Sequence, residues 1–116
     1  HDLDLVEVHG CFTIAELVLY EVMGLAPRGQ GRRALEEGWV ERGGRLPVNP
    51  SGGVLSSNPI GASGMIRFAE AAIQVMGKAG DHQVPNARKA LGHAYGGGSQ
   101  YYSMWVVGAD KPEAKP

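Results

Sequence analysis

Apolar and acidic residues alternate over residues 3–8, which read Leu-Asp-Leu-Val-Glu-Val. A period of two is typical of a β-strand with one face in a core. From Thr13 onward the apolar positions are three and four residues apart, which predicts a helix. Thr13 followed by Glu16 has the form of a capping box at the start of this helix, and Gly24 with Pro27 predicts its end.

The centre of the chain is a loop of small residues, 48–64, that leads into a second helical segment. In residues 65–76 only Arg67, Glu70 and Gln74 interrupt an apolar sequence. A helix that is apolar on nearly every side is expected to be buried. The sequence therefore predicts a buried central helix.

Two further strands are predicted at the end of the chain, over residues 87–95 and 101–107. A glycine-rich turn at residues 96–99 joins them, with the composition of a type I′ or II′ hairpin turn. Residues 109–116 are polar and proline-containing, and we expect them to form a disordered tail. Strand, helix, glycine loop, buried helix and hairpin together predict a layered α/β fold with a mixed sheet.

Composition and charge narrow the possible functions. A length of 116 residues with 43% apolar residues suits one globular domain. The net charge of −1, with both signs interspersed, argues against nucleic-acid binding and a polybasic membrane contact. No apolar run reaches the roughly 18 residues of a membrane span. The single cysteine, Cys11, suits a reducing cytoplasm and gives neither an internal disulfide nor a zinc site by itself. The start at His1 is expected to be a processed or truncated one.

Three segments resemble the last three motifs of the thiolase superfamily. Residues 6–13 resemble the Asn-Glu-Ala-Phe motif, in the His-Asp-Cys-Phe form of sterol-carrier and archaeal thiolases. Residues 49–64 resemble the motif Asn-x-x-Gly-Gly…Gly-His-Pro-x-Gly-Ala-(Ser/Thr)-Gly. Residues 93–98 resemble the final Cys-x-Gly-Gly motif, with His in place of Cys. The three segments occur in the family's order and extend over nearly the whole chain.

The resemblance implies that residues 1–108 are most of the second half of the duplicated thiolase fold, without the N-terminal half. The active site would lie between the halves, with the nucleophilic cysteine in the absent one. The implied activity is that of an acyl-CoA acyltransferase of the acetyl-CoA acetyltransferase type, by thiolytic cleavage or Claisen condensation. Its substrates would be coenzyme A thioesters, with no further cofactor and no metal, and this fragment alone would be inactive. Such chemistry must stabilise negative charge on two oxygens.

The resemblance also implies partners. They are the N-terminal half or a longer parent chain, further copies in a homo-oligomer, and in this branch a small acyl-CoA-binding protein with an OB-fold. The alternative is a non-catalytic thiolase-like subunit that completes a partner's site or binds lipid acyl-CoA. A reactive cysteine at a helix start in the absent half would favour the enzyme. A free-standing binding module is disfavoured because the glycine loops suit contact across an interface.

The implied catalytic residues are His9, Asn58 and His93. Asn58 stands where thiolases carry the His of the Gly-His-Pro motif, and Ser57 replaces its Gly. An amide takes up no proton near pH 7 but donates hydrogen bonds. His9 with Asn58 thus resembles the Cys-His-Asn arrangement of initiating ketoacyl synthases and chalcone synthases, and the replacement is equally compatible with lost activity.

The remaining candidates divide into substrate contacts and structural residues. His93 takes the place of the acid–base cysteine of thiolases. The implied substrate-binding residues are Gly61, Ser63, Gly96 and Gly97. Cys11 is assigned a structural role by its motif. Four aromatic residues near the end of the chain are candidates for an acyl pocket, but such residues are more often found in the core or an interface, where we expect them: Tyr95, Tyr101, Tyr102 and Trp105. Three basic residues are candidates for contacts with the phosphates of coenzyme A, but we expect them on a solvated face: Arg28, Arg32 and Arg33.

Overall fold

The computed structural model describes residues 2–110. Seven helices and strands follow one another along this part of the chain. They are β1 (Leu5–Glu7), α1 (Thr13–Val22), α2 (Gly31–Glu36), α3 (Gly53–Ser56), α4 (Ser63–Val75), β2 (Lys89–Gly96) and β3 (Tyr101–Gly108), with single 3₁₀ turns at Ile60–Ala62 and Gly80–His82. None of the helices among these residues is long and apolar enough to cross a bilayer.

The sheet is mixed, as predicted, with β2 at its centre. β1 pairs with β2 in parallel, with Leu5 opposite Ala90. β3 pairs with β2 in antiparallel register, from Lys89 opposite Gly108 to Gly96 opposite Tyr101. An isolated parallel bridge from Val48 to Val6 extends the pairing beyond β1. The predicted α/β class is confirmed.

Helices cover both faces of the sheet, because neighbouring strand residues point to opposite faces. On one face, Leu5 and Ala90 pack against Ala71 of α4. On the other, Val6 and Val8 pack against Leu19 of α1. A third cluster lies between α1 and α2, formed by Tyr20, Ala26, Ala34 and Val40.

Helix α4 is buried on one side only, and not on nearly every side as its sequence predicts. Its buried residues include Arg67 and Gln74, whereas Met65 and Met76 are 66% and 57% exposed. The physical reason is that both polar side chains find partners inside. The guanidinium of Arg67 binds Glu7 at 2.8 Å, and the amide of Gln74 accepts a hydrogen bond from the backbone N–H of Val84 at 2.8 Å.

Two local predictions also differ from the structure. Helix α1 is capped by Phe12 without a side-chain hydrogen bond, and Glu16 accepts a hydrogen bond from the Tyr20 hydroxyl at 2.6 Å, so the capping box is wrong. The β2–β3 hairpin has a four-residue connection, 97–100, rather than a two-residue turn. In the predicted tail, the backbone N–H of Ala109 donates to the Arg88 carbonyl at 2.8 Å. Residues 111–116 lie outside the described residues.

Candidate functional site

The three motif segments meet at one cleft of about 460 Å³. The end of β1, the loop that enters α4, and the β2–β3 hairpin form its walls. We call it the histidine cleft and define it by its main lining residues: His9, Cys11, Asn58, Gly61, Tyr95 and Gly97. The structure therefore brings together segments that are far apart in the sequence.

His9 lies two residues beyond the end of β1 and forms part of the cleft wall. It is 7% exposed, and its ring lies 4.5 Å from the ring of Tyr95, measured between centroids. Burial lowers the pKa of His9, and the positive charge of Arg67 lowers it further. His9 is therefore a neutral imidazole near pH 7, able to donate from one ring nitrogen and accept at the other.

His93 is fully buried on β2, behind the cleft rather than in its wall. Its Nδ1 accepts a hydrogen bond from the backbone N–H of His9 at 3.3 Å. Because Nδ1 is the acceptor, the neutral ring carries its proton on Nε2. Burial lowers the pKa of His93, and repulsion from His9 when that ring is protonated lowers it further. Among the described residues the Nε2 atom has no hydrogen-bond partner, which is an unusual state for a buried donor.

Asn58 and Ser63 act as a pair at the start of α4. The Ser63 hydroxyl donates to Oδ1 of Asn58 at 2.5 Å, and Ser63 is fully buried. This bond occupies the amide oxygen of Asn58 and leaves its N–H groups as the available donors. Ser63 therefore orients Asn58 and does not itself line the cleft.

The backbone around Asn58 is held in an uncommon conformation. Ile60 has a φ of 46°, which for a β-branched residue costs about 1–3 kcal/mol and is often found at functional sites. Gly61 and Gly64 follow it and line the cleft at the N-terminal end of α4, where free N–H groups favour negative charge.

The opposite wall is the glycine-rich part of the hairpin, where Gly96 and Gly97 border the cleft. Gly97 has a φ of 58°, which favours glycine. A side-chain carbon at Gly97 would also lie 2.8 Å from the Tyr101 ring. The predicted substrate-binding glycines Gly61, Gly96 and Gly97 thus face one cavity.

Tyr95, which was expected in the core or an interface, lines the histidine cleft. Its hydroxyl forms a very short hydrogen bond with the thiol of Cys11, and this bond raises the pKa of Tyr95 to about 12. Tyr95 is therefore a protonated phenol at neutral pH, next to His9. The available signal was the spacing, since His93 and Tyr95 lie two residues apart on one strand and so share a face.

A buried ion pair lies next to the cleft residues and was missed by the sequence analysis. Glu7 is 0% and Arg67 2% exposed, and Arg67 Nη1 binds Glu7 Oε2 at 2.8 Å. The Ser51 hydroxyl donates to the same oxygen at 2.8 Å. Burial raises the pKa of Glu7, whereas hydrogen bonding from Ser51 and the charge of Arg67 oppose this shift. The pair joins β1, which precedes His9, to α4 and the glycine loop.

The other candidates lie away from the cleft. Arg32 and Arg33 form exposed ion pairs with Glu36 and Glu37, as expected of a solvated face. Trp105 packs edge-on against Phe68 of α4, with 5.7 Å between ring centroids. Within residues 2–110, no cluster of three or more His, Cys, Asp or Glu side chains has the geometry of a metal site.

Comparison with known families matches residues 1–109 to the family described as thiolase C-terminal domain-like. Human sterol carrier protein 2 is 42% identical over 116 residues, which cover 98% of this chain and 21% of that protein. An acetyl-CoA acetyltransferase of Methanothermobacter thermautotrophicus is 43% identical over 97 residues, covering 83% of this chain and 25% of the relative. The benzoylsuccinyl-CoA thiolase subunit BbsB of Thauera aromatica is 44% identical over 99 residues, covering 84% and 26%.

Among solved structures, the Ltp2-ChsH2(DUF35) aldolase superposes with a TM-score of 0.77 at 27% sequence identity. The superposition covers 95% of this chain and 28% of the matched chain. The chain thus spans about a fifth to a quarter of the length of the curated relatives it matches.

Proposed function

Since the chain belongs to the thiolase C-terminal domain-like family, we propose that it supplies one wall of an active site that makes or breaks carbon–carbon bonds in coenzyme A thioesters. The observation that carries the proposal is the histidine cleft. It places His9, the oriented amide of Asn58 and glycine backbone on one cavity. The nucleophilic cysteine of the proposed reaction lies outside these 116 residues.

In the cleavage direction, the thiolate of that cysteine attacks the keto carbon of a β-ketoacyl-CoA. The bond between the keto carbon and the α-carbon breaks, and its electron pair leaves as the enolate of acetyl-CoA. The enolate carbon then takes up a proton, and the acyl group passes from the cysteine to the thiol of coenzyme A, which loses its proton. Condensation is the reverse, and the reaction needs only the thioesters and coenzyme A.

The enolate oxygen is the charge that this chain would stabilise. Neutral His9 and the amide of Asn58 are proposed as its two hydrogen-bond donors, because both line the cleft. The N-terminal end of α4, at Gly61 and Gly64, adds a positive dipole on the same side. Fixed donors of this kind each contribute on the order of a hundredfold or more to the rate.

Tyr95 is proposed to hold a proton next to the reacting atoms, and His93 to act from behind the cleft. The Nδ1 atom of the fully buried His93 fixes the backbone at His9, so we assign His93 as a positioning residue for that ring. Tyr95, protonated at neutral pH, is the proton donor in the cleft wall.

The setting of the reaction is part of the same proposal. The relatives are about three to five times as long as this chain, so an N-terminal thiolase half is proposed to complete the site, in a homo-oligomer. The solved neighbour is an aldolase named for two components, one of them marked DUF35, which supports a small acyl-CoA-binding partner, for which we propose an OB-fold. We place the protein in a reducing cytoplasm, where Cys11 remains a free thiol.

The test is the rate of acetoacetyl-CoA thiolysis by the full-length protein. His9→Ala and Asn58→Asp are each expected to lower kcat on the order of a hundredfold or more, because each removes a donor to the enolate. His82 is a partly exposed histidine outside the cleft lining, so His82→Ala is the matched control and is expected to act as wild type. Wild-type rates in the two cleft variants would overturn the assignment.

A second candidate is a subunit that binds acyl-CoA without turnover. The observation in its favour is Asn58, which stands where thiolases carry a His that takes up a proton, together with the similarity to sterol carrier protein 2. If the protein is such a subunit, we expect the full-length protein to bind acetyl-CoA saturably, without thiolytic cleavage or condensation. Turnover that depends on His9 would exclude it.

A further inference from the structure

A second cavity adjoins the histidine cleft, between α1 and the β2–β3 hairpin. Its volume is about 500 Å³, within the ~300–1,000 Å³ range of small-molecule sites. We call it the apolar groove and define it by its main lining residues: Phe12, Ile14, Val18, Leu19, Tyr95 and Tyr102. Among the described residues, those that line it carry no charged side chain.

The groove exposes apolar side chains that the fold of this chain does not cover. Ile14 and Val18 lie four residues apart on α1, so they are neighbours on one helix face, and they are 67% and 52% exposed. Tyr102 of β3 lies opposite Tyr95 of β2 in the sheet register, so both rings stand on the sheet face that carries α1. A concave apolar patch of this kind indicates a ligand or partner.

The groove and the histidine cleft share a wall. Tyr95 and Gly98 line both cavities. The Tyr95 ring lies 4.5 Å from the His9 ring on one side and 6.3 Å from the Tyr102 ring on the other, between centroids. A ligand with a polar group at His9 and an apolar extension therefore reaches the groove by passing a single side chain.

We propose that the apolar groove is the subsite for the acyl chain of the thioester, so that the protein prefers medium-length acyl groups to acetyl groups. The proposal rests on the proposed function for the position of the thioester in the histidine cleft. The uncharged lining favours an acyl chain over a polar ligand. The Tyr95 wall that the groove shares with the histidine cleft favours an acyl chain over a separate protein segment, since only a ligand bound in the cleft needs the two cavities to be continuous.

Binding tests the groove directly, whether or not the protein turns over. The full-length protein is titrated by calorimetry with decanoyl-CoA and with acetyl-CoA. Each methylene group that becomes buried strengthens binding roughly fourfold. Burial of about three to four methylene groups in the groove is therefore expected to make decanoyl-CoA bind on the order of a hundredfold more tightly than acetyl-CoA. Val18→Trp fills the groove. It is expected to lower the ratio of decanoyl-CoA affinity to acetyl-CoA affinity at least about tenfold, without changing acetyl-CoA binding.

The control is Val22→Trp, which puts the same side chain one turn further along α1, outside the groove lining and at a 74% exposed position. It is expected to keep the wild-type preference. The proposal would be overturned if Val18→Trp and wild type showed the same preference for decanoyl-CoA over acetyl-CoA. It would also be overturned if Val18→Trp lost affinity equally for both thioesters. Thiolysis of acetoacetyl-CoA is measured in parallel. If the wild-type protein shows no thiolysis, the proposed function is wrong. The chain-length preference in binding still tests whether the groove holds the acyl chain.

Discussion

At the scale of single residues, the buried histidines are the clearest chemical feature of the chain. His93 is fully enclosed, and its one hydrogen bond is to the backbone of His9. Burial lowers the pKa of both rings below the ordinary 6.5. Between the lowered and the ordinary pKa, the unfolded chain binds more protons than the folded chain. The free energy of unfolding therefore decreases as the pH falls below 6.5.

This dependence can be measured by urea denaturation of the full-length protein between pH 7.5 and about 5. His93→Gln keeps an acceptor for the His9 N–H but has no proton to gain. We expect it to reduce the loss of stability with falling pH, by up to ~1.4 kcal/mol per pH unit for one proton. The same pH slope in wild type and His93→Gln would show that His93 is not held neutral by the fold.

The positions of single residues were predictable where a motif or a spacing indicated them. His9 and Asn58 could be placed at one site from the resemblance, and their side chains do line one cleft. Ser63 was expected to touch substrate, but only the three-dimensional path of the loop puts its hydroxyl on Asn58. Tyr95 was not assigned to the cleft, because strand alternation places it beside His93 without indicating which sheet face borders the cleft.

At the scale of elements, β1 and α4 are joined by the buried pair of Glu7 and Arg67. Arg67→Met leaves the Glu7 carboxylate buried without its cation, and we expect the free energy of unfolding to fall by about 3–5 kcal/mol. Arg32→Met is the control, since the Arg32–Glu36 pair is solvent-exposed and contributes roughly 0–1 kcal/mol. The shift of the midpoint of urea denaturation measures the loss of stability in each variant. Similar small shifts in both variants would mean that Glu7 is readily neutralised in the fold.

The contact of α4 with β2 depends on a small residue at Gly64. A side-chain carbon there would lie 2.6 Å from the Cβ of Ala94, so Gly64→Ala is expected to destabilise the fold by about 1–3 kcal/mol. Adding Ala94→Gly removes the clash and should restore part of the loss. Urea denaturation of both variants measures this. If the double variant recovered no stability, the loss in Gly64→Ala would not come from the contact with Ala94.

The elements themselves were largely predictable, but their orientation was not. The alternation of residues 3–8 and the hairpin strands gave the sheet, and Gly24, with a φ of 69°, ends α1 as expected. For α4 the apolar content indicated burial but not which side contacts the sheet. That side is set by partners distant in sequence, Glu7 for Arg67 and Val84 for Gln74.

At the scale of the whole molecule, the proposed function makes the described residues one part of a larger site. Met65 and Met76 of α4 remain exposed on one side of the sheet and Ile14 and Val18 of α1 on the other. The histidine cleft holds the proposed donors for an oxyanion, and its one thiol, Cys11, is hydrogen-bonded to Tyr95. We propose that these donors serve a cysteine outside the 116 residues.

The most direct measurement is peptide mapping of the acyl-enzyme by mass spectrometry, after the full-length protein is incubated with acetyl-CoA and quenched in acid. We expect an acetyl group on a cysteine other than Cys11, and the same adduct in a Cys11→Ser variant. An acetyl group on Cys11, or a protein that gains no acetyl mass at saturating acetyl-CoA, would contradict this proposal.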